Sequence, residues 1–182
     1  MRRRLTMLTS ASAGTLMLLL AAPAVAAPTD ETIVTFAVEA GSLDIVAPPG
    51  PIDLGSAPPG GTLTGQIGPV SVSDTRGGAT SEWTASAYAT NFIDAALTIP
   101  PTTIDYWSGA ATATTGGGTF IPGQLTALAA ASLDLIATPL VAFAHTGGTG
   151  GSTATWNPTL IVNIPITAQI GDYTGTVTHS VA

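Results

Sequence analysis

The 182-residue chain contains no cysteine, no lysine and two histidines. Each shortage removes a class of chemistry. Without cysteine there is no disulfide, no thiolate nucleophile and no thiolate-bound metal. Cations are nearly as scarce, because three of the four arginines are Arg2, Arg3 and Arg4, leaving Arg76 alone in the rest of the chain. Aromatic residues make up 5% and charged residues 8% of the sequence. A chain so poor in cations cannot neutralise even a short run of phosphates, so nucleic acid and anionic lipid are not expected as partners.

What is present at the start has the form of a secretory signal. Arg2, Arg3 and Arg4 precede an apolar run around residues 16–22, and Ala24-Val25-Ala26 forms a small-x-small cleavage site. We expect residues 1–26 to be a removed signal peptide and 27–182 to be one exported domain. The apolar run is shorter than the roughly 20 residues a membrane helix needs, so the mature chain is expected to carry no membrane span. Removal would leave one arginine against eleven acids, a net charge of −10.

Twenty-one glycines and 14 prolines punctuate runs of β-branched and aromatic residues. That pattern predicts strands near 32–38, 42–46, 62–73, 83–92, 132–143, 154–164 and 173–181. Their spacing suits an all-β, mostly antiparallel β-sandwich or barrel-like domain. Residues 123–137, rich in Ala and Leu, are the one competing helix signal, but they lack a convincing cap, and the alternative is a buried strand with a lead-in loop. The Pro-rich stretch 47–61 and the Gly/Thr-rich stretch 145–155 read as turns. In the last strand Tyr173, Gly175, Val177, His179 and Val181 share an apolar face.

Catalytic motifs are thin. No GxSxG surrounds a serine, and the two histidines read as a solvated loop residue, His145, and a packed strand residue, His179. Asp94 with Asp105, and Glu82 with Asp74, are carboxylate pairs on paper, but nothing in their spacing brings them to one cleft. No His-pair or EF-hand spacing occurs, so no cofactor is expected. Calcium on loop carboxylates and carbonyls is the one metal the composition leaves room for. The expectation is a protein that is not an enzyme.

Aromatic residues are the remaining candidates for ligand contact: Trp83, Trp107, Trp156 and Tyr106, whose faces suit both sugar rings and cores. Within "IDYWSG", Tyr106 and Trp107 precede a Gly/Thr-rich loop and read as an exposed aromatic pair. Arg76 lies in "DTRGGATSEW", where its fork of donors would serve either a ligand or, the favoured reading, Asp74 and nearby carbonyls in the turn that leads to Trp83.

Two stretches resemble the WxL-type surface domains of Gram-positive bacteria. The first has the turn Asp74-Thr75-Arg76-Gly77, then Trp83, with Phe92 closing the strand. The second has Gly171-Asp172-Tyr173-Thr174-Gly175-Thr176-Val177-Thr178 leading into His179-Ser180-Val181. This chain departs from the family at Trp83-Thr84-Ala85, which lacks the leucine, and at His179, which stands where the second tryptophan would be. The resemblance implies an all-β domain that attaches non-covalently to the cell wall, with peptidoglycan as target, and assigns a signature role to Asp74, Arg76, Gly77, Trp83, Tyr173 and His179. The expected function is therefore a secreted, cell-surface protein whose partners are wall polysaccharide or other surface proteins. The alternative is a structural or adhesive subunit assembling through strand edges.

Overall fold

Alternation of apolar and small polar residues breaks the chain into a series of short strands. The computed structural model describes residues 28–78, 80–134 and 137–182, and the expected signal peptide lies outside them. Among these residues the strands are β1 (Leu43–Val46), β2 (Thr62–Gln66), β3 (Val70–Asp74), β4 (Trp83–Ala89), β5 (Phe92–Asp94), β6 (Leu97–Ile99) and β7 (Ile104–Trp107). They continue with β8 (Ala111–Thr115), β9 (Thr119–Pro122), β10 (Ala131–Ser132), β11 (Leu140–Thr146), β12 (Ser152–Trp156), β13 (Thr159–Asn163) and β14 (Val177–Val181). All pairings are antiparallel, and the fold is all-β and sandwich-like with no closed barrel among the described residues.

Three four-stranded sheets run β1-β3-β12-β8, β10-β7-β13-β2 and β14-β4-β11-β9, with β5 and β6 as a separate pair. The first two sheets share their strands across a bend. β12 and β13 form one central strand flanked by β3 continuing from β2, and by β8 continuing from β7. From Gln66 to Val70 the outer strand takes four steps while the central strand takes three between Thr159 and Trp156. The other outer strand does the same from Trp107 to Ala111. The extra residue on each side is what a bulge supplies when strands turn a corner between sheets.

The residues at the corner explain it. Pro69 and Pro158 have no N–H to give a ladder, and Gly68 (φ 94°) and Gly109 (φ 70°) take a backbone conformation that favours glycine. One hydrogen bond, from Ile67 N to the Pro158 carbonyl at 3.0 Å, spans the bend. Stretches 62–73 and 154–164 are thus each two strands rather than one, because proline interrupts pairing without interrupting the chain's direction of travel.

The third sheet closes over the bent one. Val70, Val72, Ala154 and Trp156 face Trp83, Ala85, Ala87 and Phe143, and Ile104, Tyr106, Leu133 and Leu160 complete the core. Each fully buried large side chain in such a core contributes about 1.5–3 kcal/mol of transfer free energy. The small alanines of β4 leave room for the broad rings opposite.

Other expectations need correction. At 123–137 the helix is only the competing signal, and none forms among the described residues; a single 3-10 turn spans Ala127–Ala129 between β9 and β10. The predicted strand at 132–143 lies partly outside the described residues, and its ordered part is β10 and β11. Residues 32–38 belong to a separate unit up to Ala37 and the start of the next, and no strand is assigned there. Strands β6, β7, β8 and β9 had no counterpart in the sequence reading.

Candidate functional site

Two clusters of side chains gather the residues singled out in the sequence. The first is built around Arg76. Asp74 ends β3 and is buried, with 1% of its surface exposed, while Arg76 follows in the turn. Arg76 Nε donates to Asp74 Oδ1 and Nη2 to Asp74 Oδ2, both at 2.9 Å, a two-pronged pair. The Arg76 backbone N–H also donates to Oδ1 at 2.9 Å, and Ser81 Oγ donates to Oδ2 at 2.9 Å. Arg76 Nη2 then reaches the Glu82 carbonyl at 2.8 Å, immediately before Trp83. These bonds, led by the Arg76 side chain, lower the Asp74 pKa from 3.8 to about 2 against the opposing effect of burial.

This geometry ties the end of β3 to the start of β4. Trp83, 2% exposed, is delivered into the core with its indole N–H on Ser152 Oγ at 3.2 Å. Gly77 stays exposed in the turn. The same turn holds the chain entering β1, because Thr75 N donates to the Ser42 carbonyl and Ser42 N to Thr75 Oγ1, each at 2.8 Å.

Trp83 leads to His145. The imidazole is fully buried, stacked 5.7 Å from Trp83 and tilted against Phe120 at 4.5 Å, and its Nε2–H donates to the Gly117 carbonyl at 2.8 Å. The reading of His145 as a solvated loop residue is therefore overturned. The glycine-rich loops suggested mobility, yet they are glycine-rich partly because they lie against this ring. A Cβ on Gly118 would sit 2.6 Å from His145 Nε2, and one on Gly148 would overlap the ring.

The second cluster lies at the bend. Trp156 and Tyr106 are fully buried, and Trp156 Nε1–H donates to Tyr106 Oη at 3.1 Å. An indole nitrogen only donates, so the Tyr106 hydroxyl is free to pass its own hydrogen to His179 Nε2, 3.2 Å away. The order Trp156, Tyr106, His179 satisfies the phenol as both acceptor and donor and requires a neutral His179. Burial works in the same direction: it lowers the His179 pKa from 6.5 to about 4 and raises that of Tyr106.

The expected exposed pair Tyr106 and Trp107 is thereby corrected. Neighbours on a strand point to opposite faces, so the burial of Tyr106 turns Trp107 outward, where it is half-buried. Trp83 and Trp156 are core residues and present no open face to a ligand. Tyr173 is half-buried, its hydroxyl donating to the Gln169 carbonyl at 3.0 Å. Of the paper carboxylate pairs, Asp94 accepts from Asp172 N and Asp105 from Asn163 Nδ2, which places each in a local structural bond. No group of three or more His, Asp or Glu side chains that could hold a metal ion occurs among the described residues. Nor is any helix there long and apolar enough to cross a membrane.

Sequence reading missed one feature of the surface: the concentration of exposed large apolar side chains at Ile33, Val34, Phe36 and Val38, each 79–90% exposed. Its signal was available as a strand-like run that the fold does not pair. Compared with known proteins, the chain matches no protein-family model and no curated protein.

Proposed function

We propose that this protein is a non-catalytic, exported structural subunit of a cell surface, acting by association with other protein copies rather than through a small-molecule cleft. The observation that carries this reading is the division of its aromatic and titratable groups. Trp83, Trp156, Tyr106, His145 and His179 are all engaged in core stacking and hydrogen bonds, while large apolar side chains stand exposed along 33–38. Exposed apolar groups so concentrated mark protein–protein or membrane interaction sites. Light scattering of the chain from residue 27 over a concentration series, without wall material, tests it: mass should rise with concentration, and a single-chain mass throughout would remove the reading.

The resemblance to WxL-type domains supports a second reading, non-covalent binding to peptidoglycan or wall glycan. Its remaining aromatic candidate is Trp107, half-buried on the outward face of β7. In that case Trp107→Ala should abolish co-sedimentation with purified peptidoglycan at unchanged melting temperature. Failure of the intact chain to sediment, with and without calcium, would end it.

A further inference from the structure

β14 is the last strand of its sheet and pairs only with β4. None of its residues is fully buried, whereas every second residue of β4 is. It is reached from β13 through residues 164–176, a connection with no strand of its own and no fully buried residue. That connection is tied down only near its end, by the Ile93–Thr174 bridge and by Thr90 N–H donating to the Thr176 carbonyl at 3.0 Å. An edge strand on so exposed a tether can leave its sheet without pulling β13 or the corner with it.

One polar side chain anchors it. Val177 and Val181 rest half-buried against the core, but the single side-chain hydrogen bond of β14 among the described residues joins His179 Nε2 to the Tyr106 hydroxyl. His179 Nδ1 is buried and has no hydrogen-bond partner. Around the ring stand Ala87 opposite it on β4, Tyr106 on β7 and Trp156 on β12, while β1 packs beside the strand with Leu43 and Ile45 toward the core. Tyr106 is the one titratable group among them, and burial keeps its hydroxyl protonated. The charged residue of β1, Asp44, is exposed and accepts from Ser42 Oγ. A neutral imidazole suits this setting. A charged one would carry hydrogen on both nitrogens, with no acceptor for Nδ1 and a Tyr106 oxygen already receiving the Trp156 N–H. Water would satisfy both.

We propose that β14 is an acid-released clasp: protonation of His179 frees residues 177–182 from β4 while the rest of the sandwich stays folded. Release uncovers the edge of β4 and the Tyr106–Trp156 pair behind it. In the opened strand His179 titrates in water near 6.5, whereas in the closed strand burial holds it down at about 4. Opening therefore becomes tenfold easier for each pH unit that the solution falls between those values, about 300-fold in all, and is unaffected by this group outside them.

Native-state hydrogen exchange of the protein, resolved by NMR and corrected for the intrinsic pH dependence of exchange, tests the clasp. The β14 amides should open with little dependence on denaturant, and their protection should fall tenfold per pH unit between 6.5 and about 4. Amides of β3 and β12 should stay better protected and exchange with the denaturant dependence of global unfolding. His179→Gln keeps an acceptor for the Tyr106 hydroxyl but does not titrate, so it should remove the pH slope at β14. A β14 that shares the protection and denaturant dependence of β3 and β12 in the unmodified protein would overturn the clasp, and so would a pH slope that persists in His179→Gln.

Discussion

The two polar clusters in this core are held in different ways. At the Arg76 turn the bonds are ionic, and the carboxylate is buried while the guanidinium is 40% exposed. At the bend they are neutral, running from Trp156 through Tyr106 to His179. The ionic cluster joins neighbouring stretches of chain, its partners two to seven residues apart. The neutral one joins residues more than 70 apart in sequence, Tyr106 and His179, across two sheets. A charge fixes a turn best where water still reaches one partner, because full burial of both would cost more in desolvation than the pair returns. Deep in the core, a donor-acceptor chain without charge avoids that cost.

The contrast can be broken most severely at the neutral cluster. Trp156→Ala should destabilise the fold by about 3–5 kcal/mol through cavity formation, measured by denaturant unfolding. Tyr106→Phe should cost less, about 1–3 kcal/mol, by leaving the Trp156 N–H and His179 Nε2 without their shared partner.

Acid should separate the two clusters. An unfolded chain protonates His179 near pH 6.5, whereas the folded chain resists until about 4, so stability falls as pH drops through that window and this loss then stops. Asp74 behaves as a depressed carboxylate: its contribution is full above 3.8 and is lost as pH falls toward about 2. Melting temperature against pH should therefore decline in two stages. His179→Gln should flatten the upper stage and Asp74→Asn the lower. A variant that flattened the opposite stage would reverse the assignment.

The smallest effect belongs to Arg76→Lys. Lysine keeps the charge but offers no planar fork, so it cannot hold both Asp74 oxygens and the Glu82 carbonyl together. The melting temperature should fall modestly while association of the folded protein is unchanged. Unaltered melting with lost association would make Arg76 a contact residue.

How much of this was legible in the sequence varies with the signal each residue carries. "DTRG" announced its turn, since an arginine two residues from an aspartate has that carboxylate within reach of its fork of donors. The face shared by Val177, His179 and Val181 followed from simple alternation. β8 and β9 did not register, because "ATATTGGGTFIP" lacks the large apolar repeats that mark a strand. His145 misled for a related reason: glycines that read as mobility are there because a backbone passes close over an imidazole. Tyr106 and Trp107 read as a pair only because adjacency in sequence was taken for adjacency in space.

The bend also has a mechanical consequence. Two sheets built from separate strands meet only through side chains, and a shearing force can slide one over the other. Here three polypeptide segments run unbroken through the corner from one sheet into the next. A pull applied to either sheet is carried by covalent bonds, and the corner behaves as a brace rather than a joint.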